Sequence, residues 1–225
     1  MRPQYQCVIF DWDGTLMNSE ARIVASIQVA AQQAQLPILS YDESKQIIGL
    51  SLDKAILSLY PEVSDEAIAL MAKSYTACFL NQSSVPMMPF EGAEVLLQGL
   101  KSSGVKLAIA TGKSRRGLDH VLTELAYTDY FDITRTPVEA ESKPSPLMLQ
   151  QILEALGLSV EQAVMVGDTK YDMKMAQVIG MDRVALSHGV HDLEVLQSYQ
   201  PVATFDDLIS MQAWLKKRVS PYLVR

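Results

Sequence analysis

The stretch CVIFDWDGTL, residues 7–16, places four apolar residues directly before two aspartates that are separated by a single residue. A short apolar run that ends at Asp and Gly is typical of a strand buried inside a domain. Two neighbouring carboxylates at the end of such a strand repel each other, and burying them is costly unless a cation lies beside them. The stretch therefore predicts a central strand that ends in a polar site.

Apolar runs of the same kind recur along the chain. The clearest are VKLAIA at 105–110, AVMVG at 163–167 and RVALS at 183–187, and the weaker ones are FDIT at 131–134 and VATF at 202–205. Apolar residues at helical spacing occupy the intervals 114–126, 145–156 and 169–179. Continuous apolar strands that alternate with helices are typical of an α/β fold whose parallel sheet is covered on both faces. We therefore predict a Rossmann-like, doubly wound parallel sheet.

The chain between the strands CVIF and VKLAIA lacks such runs. Ser19 is predicted to cap a helix that ends near Pro37, and Ser64 is predicted to cap a second helix. The segment NQSSVPMMP, residues 81–89, has the composition of a linker that returns to the sheet. We therefore predict an α/β core formed by residues 1–16 and 88–225, with an α-helical cap domain inserted at 17–87.

Composition limits the classes of protein to which the chain can belong. The 225 residues are 48% hydrophobic and 20% charged, which suffices for a substantial core, and the net charge of −7 opposes binding to nucleic acid. No apolar run approaches 18 residues and the N-terminal segment lacks a signal-peptide pattern, so we expect a soluble cytoplasmic protein without a membrane partner. Cys7 and Cys78 lie in apolar runs, as expected of buried thiols in a reducing compartment. A monomer and a homodimer both stay open.

Polar residues follow three of the predicted strands at the point where each strand ends. These residues are Asp11 and Asp13 after the first strand, Thr111, Gly112 and Lys113 after the second, and Asp168 and Asp172 after AVMVG. Ligands of parallel α/β sheets bind beyond the carboxyl ends of the strands. We therefore expect these side chains to converge on one edge of the sheet.

Four aspartates in one place require a cation. Mg²⁺ prefers oxygen ligands and retains waters that a phosphate can replace, whereas the thiolate and imidazole ligands typical of zinc are absent from these positions. One carboxylate is then free to act as a nucleophile, a role that carboxylates fill in phosphoryl transfer. Each motif alone also has a structural explanation, because Asp-Gly forms turns, Thr-Gly occurs in loops and Asp168 could cap a helix. The combination favours a magnesium site.

Together these motifs resemble the magnesium-dependent phosphatases of the haloacid dehalogenase (HAD) superfamily. The stretches similar to the family's four motifs are DWDGTL at 11–16, ATGKS at 110–114, SKPSP at 142–146 and VGDTKYD at 166–172. The third motif adds Lys143 to the candidate site. The resemblance covers essentially the whole chain and includes a helical cap inserted after the first motif.

The resemblance implies a catalytic role for four of these residues. Asp11 would attack phosphorus and form an aspartyl-phosphate, and Asp13 would protonate the leaving oxygen and then activate water. Thr111 would hold a phosphate oxygen. Lys143 would pair with the nucleophile and the phosphate, offsetting charge that spreads in the transition state.

The resemblance also implies the ligands of the metal and of the phosphate. Mg²⁺ would be bound by Asp11, Asp168 and the main-chain carbonyl of Asp13, with Asp172 bound directly or through water. The phosphate would also contact the main chain of Trp12, the amide of Gly112, and Lys113. The implied cofactor is therefore Mg²⁺, and the implied partner is a small phosphorylated metabolite.

Within the superfamily the chain looks most like the phosphoglycolate phosphatases. Asp13 disfavours the dehalogenases, and Leu52 stands where the sugar-phosphate mutases typically carry an arginine. Specificity for a sugar phosphate, a nucleotide or pyrophosphate stays open, and so does a binding protein without turnover. The implied specificity segment comprises Gly49, Leu50, Ser51 and Lys54, and the implied hinges are Gly14 with 16–20 and 86–90.

Overall fold

The structure, a computed structural model, describes residues 4–222 of the chain. The strands in this part are β1 (Cys7–Phe10), β2 (Met17–Asn18), β3 (Met88–Pro89), β4 (Lys106–Ala110), β5 (Ile133–Arg135), β6 (Ala163–Gly167), β7 (Asp182–Leu186) and β8 (Ala203–Phe205). Six of them form a parallel sheet in the order β5-β4-β1-β6-β7-β8. The predicted α/β class is confirmed, and both of the weaker strand predictions correspond to strands at the edges of the sheet.

The helices that precede β3 are α1 (Glu20–Gln33), α2 (Tyr41–Lys45), α3 (Leu52–Leu59) and α4 (Asp65–Ala77), and a π-helical turn follows at Cys78–Gln82. The later helices are α5 (Ala93–Ser102), α6 (Arg115–Glu124), α7 (Leu147–Leu156), α8 (Lys170–Val178), α9 (Leu193–Gln197) and α10 (Leu208–Leu215). Short 3₁₀ turns lie at Thr128–Tyr130 and Val160–Gln162. Among the helices of residues 4–222, none has both the length and the apolar character needed to cross a bilayer.

The register of the sheet brings the ends of three strands to one level. Phe10 at the end of β1 lies opposite Ile109 of β4 on one side and Val166 of β6 on the other. The amide of Asp11 continues this pairing by donating to the carbonyl of Val166 at 2.9 Å. The residues that follow the three strands therefore emerge side by side at the centre of the sheet edge.

Both faces of the sheet are buried, which explains the apolar runs without alternation. Side chains of a strand point alternately to the two faces. Val8 and Phe10 pack in one core with Leu96, whereas Cys7 and Ile9 pack in a second core on the opposite face. Both cysteines are free and buried, as predicted.

Residues 17–87, here called the inserted helical segment, contain α1 to α4. The two connections that join it to the sheet pair with each other, because β2 and β3 form an antiparallel ribbon. The sequence did not predict this ribbon, since strands of two residues have no detectable period. The buried side chains of the segment form two clusters, one around Ile27 and Phe79 that also includes Val190 of the α/β core, and one around Ile56 and Met71.

The helix starts agree only in part with the predictions. Ser64 caps α4 by accepting from the amide of Ala67, as predicted. Ser19 occupies the N-cap position of α1, as predicted, but its hydroxyl donates to Asp13 and makes no capping hydrogen bond. α1 also ends at Gln33, before the predicted end near Pro37.

Candidate active site

Three buried carboxylates meet where β1 and β6 end. Asp11 follows β1, Asp168 follows β6, and Asp172 lies in the first turn of α8. One oxygen from each of the three lies within 4.8 Å of the others, and all three side chains are almost completely buried. The predicted convergence of these aspartates is therefore present in the structure.

Lys143 is the cation that lies against this cluster. Its Nζ is 2.8 Å from Asp11 Oδ1 and 2.6 Å from Asp172 Oδ1, and the residue is fully buried. Burial by itself would lower the pKa of the ammonium, but the attraction of both carboxylates raises it. Lys143 therefore stays protonated at neutral pH and offsets part of the negative charge.

Hydrogen bonds that the sequence analysis did not predict hold the two aspartates that follow β6. Thr15 Oγ1 donates to Asp168 Oδ1 at 2.6 Å, and the amide of Val190 donates to Asp168 Oδ2 at 2.9 Å. Asp172 accepts from the amide and the hydroxyl of Thr169, which is the residue that caps α8. Thr169, and not Asp168, is therefore the helix cap, and Asp168 is left for the site.

Gly14 allows the first motif to approach Asp168 closely. Its φ of +87° lies in the left-handed region that favours glycine. A Cβ added at this position would lie 2.2 Å from Asp168 Oδ2, so any side chain would displace the carboxylate. The glycine of the Asp-Gly pair thus serves the geometry of the site as well as that of the turn.

Asp13 lies outside the carboxylate cluster and has a cation of its own. Lys113 Nζ is 3.1 and 2.9 Å from its two oxygens, and the hydroxyl of Ser19 donates to Asp13 Oδ1 at 2.7 Å. The same ammonium lies 4.3 Å above the ring of Phe79, which belongs to the inserted helical segment. The predicted substrate ligand Lys113 therefore joins β4, Asp13 and the inserted helical segment.

The segment after β4 is in direct contact with the inserted helical segment. A Cβ added to Gly112 would lie 2.4 Å from the carbonyl oxygen of Leu50 and 2.5 Å from that of Gly49. The amide of Ser51 donates to Ser142 Oγ at 2.9 Å, one residue before Lys143. Residues 49–51, predicted as a specificity segment, therefore lie directly on the polar edge of the sheet.

Trp12 contributes its main chain to the site and its side chain to the core. Its amide donates to Asp11 Oδ1 at 2.7 Å, while its ring packs edge-on against Tyr127 and Phe131. Thr111 is buried at the end of β4, and its hydroxyl accepts from the amide of Lys113.

A cavity of about 90 Å³ separates the polar edge of the sheet from the inserted helical segment. Asp11, Asp13, Thr111, Gly112 and Lys113 line it on the side of the sheet. Four predicted site residues do not line this cavity, namely Trp12, Lys143, Asp168 and Asp172, and the last three of them form the buried cluster behind Asp11. The arrangement gives a ligand access to Asp11 from one side, with the carboxylate cluster on the other.

The carboxylate cluster has the chemistry of a site for a hard divalent cation. Asp11 Oδ2 is buried and makes no hydrogen bond within residues 4–222. A buried carboxylate oxygen without a partner is costly, and a cation that accepts oxygen ligands removes that cost. Asp11, Asp168 and Asp172 therefore fit a divalent cation.

Burial makes the ionised forms of two of these carboxylates unfavourable in the metal-free protein. Burial raises the pKa of Asp11 from 3.8 to about 7, against the opposing attraction of Lys143. Burial, followed by repulsion from Asp11 and Asp172, also raises the pKa of Asp168. Both shifts stabilise the protonated forms in the folded state and disappear when the chain unfolds.

The raised pKa of Asp11 predicts how the stability of the protein in chelator depends on pH. Between about pH 4 and pH 7 the folded protein holds the Asp11 proton and the unfolded chain releases it, so stability falls as the pH rises. Relative to Asp11→Asn, the free energy of unfolding should fall by on the order of 3 kcal/mol over this range. Urea unfolding of both proteins at several pH values measures the difference, and a difference independent of pH would contradict it. Added Mg²⁺ should remove the slope, because the cation binds the ionised form.

Comparison with known proteins places this geometry in a family. The family model described as "Haloacid dehalogenase-like hydrolase" matches residues 8–186. The chain is 33% identical to "Probable phosphatase IndB" of Dickeya dadantii, over 95% of this chain and 96% of that protein. It is 28% identical to "Phosphoglycolate phosphatase" of Rhodospirillum rubrum, over 93% and 90% of the two chains.

A solved structure agrees with the fold. The crystal structure described as a predicted phosphoglycolate phosphatase from Haemophilus somnus superimposes with a TM-score of 0.86. The superposition covers 94% of this chain and 98% of that one at 23% sequence identity. The residues matched by the family model include all four motifs, and these are the parts of the chain that meet at the candidate site. The chain therefore belongs to the haloacid dehalogenase-like hydrolase family.

Proposed function

We propose that the protein is a Mg²⁺-dependent phosphate monoester hydrolase that acts on a small phosphorylated metabolite through an aspartyl-phosphate on Asp11. One observation carries the proposal: Asp11 lies between the cavity and a buried cluster that contains two further carboxylates and Lys143. A carboxylate in this position can reach a phosphorus atom in the cavity while its own charge is compensated from behind. The relatives named as phosphatases support the same reaction.

In the first step, an oxygen of Asp11 attacks the phosphorus of the bound ester. The Asp11 O–P bond forms as the bond from phosphorus to the ester oxygen breaks. Asp13 gives a proton to the departing oxygen, which leaves as an alcohol. Asp13 has the position for this role, because it lines the same cavity two residues after the nucleophile.

In the second step, the same two residues reverse the protonation. Asp13, now a carboxylate, takes a proton from a water molecule, whose oxygen attacks the phosphorus of the aspartyl-phosphate. The Asp11 O–P bond breaks, inorganic phosphate leaves and the Asp11 carboxylate is restored. Asp13 ends the cycle with the proton that it needs for the next one.

Several donors would hold the phosphoryl oxygens in this cycle. The candidates are the Thr111 hydroxyl, the amides of Trp12 and Gly112, and the ammonium groups of Lys143 and Lys113. Lys113 is paired with Asp13 in the structure, with Nζ 2.9 Å from Asp13 Oδ2. A phosphate dianion would draw Lys113 away from Asp13 and toward the phosphoryl oxygens.

Mg²⁺ would be held by Asp11, Asp168 and Asp172, with the main-chain carbonyl of Asp13 as a further ligand. The cation would supply positive charge that offsets the charge of the phosphoryl group in the transition state. Thr15, Val190 and Thr169 would keep the outer carboxylates in place for this role. The phosphoglycolate phosphatases among the relatives make phosphoglycolate the first substrate to compare.

Hydrolysis of p-nitrophenyl phosphate with and without Mg²⁺ tests the proposal. We expect turnover in Mg²⁺, a loss of at least about 10²-fold in excess chelator, and recovery when Mg²⁺ is restored. Circular dichroism of the chelated protein checks that the fold persists during the loss. Activity that ignores chelator would contradict the metal requirement, and no turnover in any divalent cation would favour a binding protein on the same fold.

A further inference from the structure

The side of the cavity that faces the sheet is polar, and the opposite side is almost entirely apolar. We define the apolar wall as the cavity-lining residues Ile23, Ile27, Ile47, Ile48, Leu52 and Phe79. These side chains come from α1, the turn after α2, the start of α3 and the π-helical turn. With a phosphate held at Asp11 and Thr111, the group bonded to the ester oxygen would lie against this wall.

No cation of the inserted helical segment reaches the cavity. All of 17–87 lies within the described chain, and its four basic residues, Arg22, Lys45, Lys54 and Lys73, are absent from the cavity lining. Arg22 donates to the carbonyl of Val85, Lys45 pairs with Asp42 and Lys54 pairs with Glu141. Lys73 is exposed on α4. A negative charge on the leaving group would therefore find no cation on this side.

On the side of the sheet, the cationic side chain that lines the cavity is already paired with a carboxylate. Lys113 is the cationic residue among those that line the cavity, and both oxygens of Asp13 lie within 3.1 Å of its Nζ. In the proposed reaction Lys113 passes to the phosphate, and the group nearest to the leaving oxygen is then the Asp13 carboxyl, which offers no positive charge. A carboxylate on the leaving group would lie near this aspartate and opposite the apolar wall, without a cation to offset its charge.

Few polar groups in the cavity remain free for a leaving group. Thr76 Oγ1 donates to the carbonyl of Ala72, and Ser114 Oγ accepts from the amide of Gly117. Tyr75 stacks on Phe79, and its hydroxyl makes no hydrogen bond within residues 4–222. One phenolic hydroxyl is thus the main polar feature on the side of the apolar wall.

We infer that the enzyme prefers phosphate monoesters whose leaving group is a short, uncharged, branched alkyl group over esters whose leaving group carries a carboxylate. The inference rests on the proposed function, which supplies the position of the phosphate. The preference for a short group follows from the cavity, whose volume is about 90 Å³. The charge preference follows from the apolar wall and from the absence of an unpaired cation in the described lining.

A pair of substrates with nearly equal shape tests the inference directly. Isobutyl phosphate and phosphoglycolate each carry four non-hydrogen atoms beyond the ester oxygen, but one ends in two methyl groups and the other in a carboxylate. We expect kcat/KM in Mg²⁺ to be about tenfold or more higher for isobutyl phosphate. A kcat/KM for phosphoglycolate that equals or exceeds that for isobutyl phosphate would overturn the inference.

A second arm places a cation in the apolar wall. Leu52 is half-buried at the start of α3, so an arginine there can reach the cavity. Leu52→Arg should shift the ratio of the two kcat/KM values toward phosphoglycolate by about tenfold. The matched control is Leu57→Arg on the same helix, whose side chain is exposed and does not line the cavity, and it should leave the ratio unchanged. An equal ratio in both variants and the native protein would count against the inference, and the native comparison decides it if Leu52→Arg does not fold.

A parallel assay separates this inference from the proposed function. Turnover of p-nitrophenyl phosphate in Mg²⁺ with a preference for phosphoglycolate would overturn the inference alone. No turnover of p-nitrophenyl phosphate or of either ester would overturn the proposed function, and the inference with it.

Discussion

Asp11→Asn is expected to lower kcat for Mg²⁺-dependent hydrolysis of p-nitrophenyl phosphate by at least about 10⁴-fold. The amide keeps the shape of the side chain but cannot form the bond to phosphorus, and it also loses one charge of the metal cluster. The amide of Trp12 and Lys143 Nζ, which both contact Asp11 Oδ1 in the native protein, keep the side chain in place. Steady-state kinetics at saturating substrate and Mg²⁺ measures the loss.

A matched control shows whether the loss is specific to the site. Asp119→Asn makes the same chemical change on α6, where the side chain is exposed and pairs with Arg115. Its kcat should stay within about twofold of the native value, because exposed ion pairs contribute little. If Asp11→Asn kept more than about 1% of the native kcat, Asp11 would not be the nucleophile.

Lys143→Met is expected to lower the free energy of unfolding in chelator by about 3–5 kcal/mol at pH 7. Methionine fills similar space, but Asp11 and Asp172 lose the cation that lies 2.8 and 2.6 Å from them. Both carboxylates are buried, so water cannot replace the lost ammonium. Mg²⁺ should recover part of this loss, because it binds the folded cluster and not the unfolded chain. Urea unfolding with and without Mg²⁺ measures both effects.

The control for Lys143→Met is a lysine whose ion pair is only partly buried. Lys106 lies 2.8 Å from Asp132, and about a quarter to a third of each side chain is exposed. Lys106→Met should therefore cost no more than about 1 kcal/mol and should show no dependence on Mg²⁺. Equal losses in the two variants would mean that Lys143 contributes no more than an ordinary surface charge.

The sheet could be predicted because its residues obey a local rule. Strands such as β1 and β6 are buried on both faces, so their residues are apolar without interruption, and glycines or aspartates end them. Short elements could not be predicted by this local rule. The ribbon of β2 and β3 and the five-residue helix α2 are too short to show a period.

The members of the carboxylate cluster could also be predicted, but their partners could not. Asp11 and Asp168 end neighbouring parallel strands, and that position alone implies that they meet. The hydroxyl of Thr15 and the amide of Val190 hold Asp168, although Thr15 was known only as part of the first motif and Val190 belongs to no motif. Ser19 has the sequence context of a helix cap, yet its hydroxyl donates to Asp13 because the ribbon carries α1 past the site.

The sequence by itself determined that this chain forms a parallel α/β sheet and that its aspartates collect at one edge. Uninterrupted apolar runs indicate buried strands, and the aspartates directly follow those runs. Only the tertiary structure decided what faces those aspartates across the cavity. Lys113 contacts both Asp13 and Phe79, and the main-chain carbonyl of Leu50 lies against Gly112. These contacts join segments about 30 to 100 residues apart. Such contacts depend on how whole elements pack, and no local pattern of residues records them.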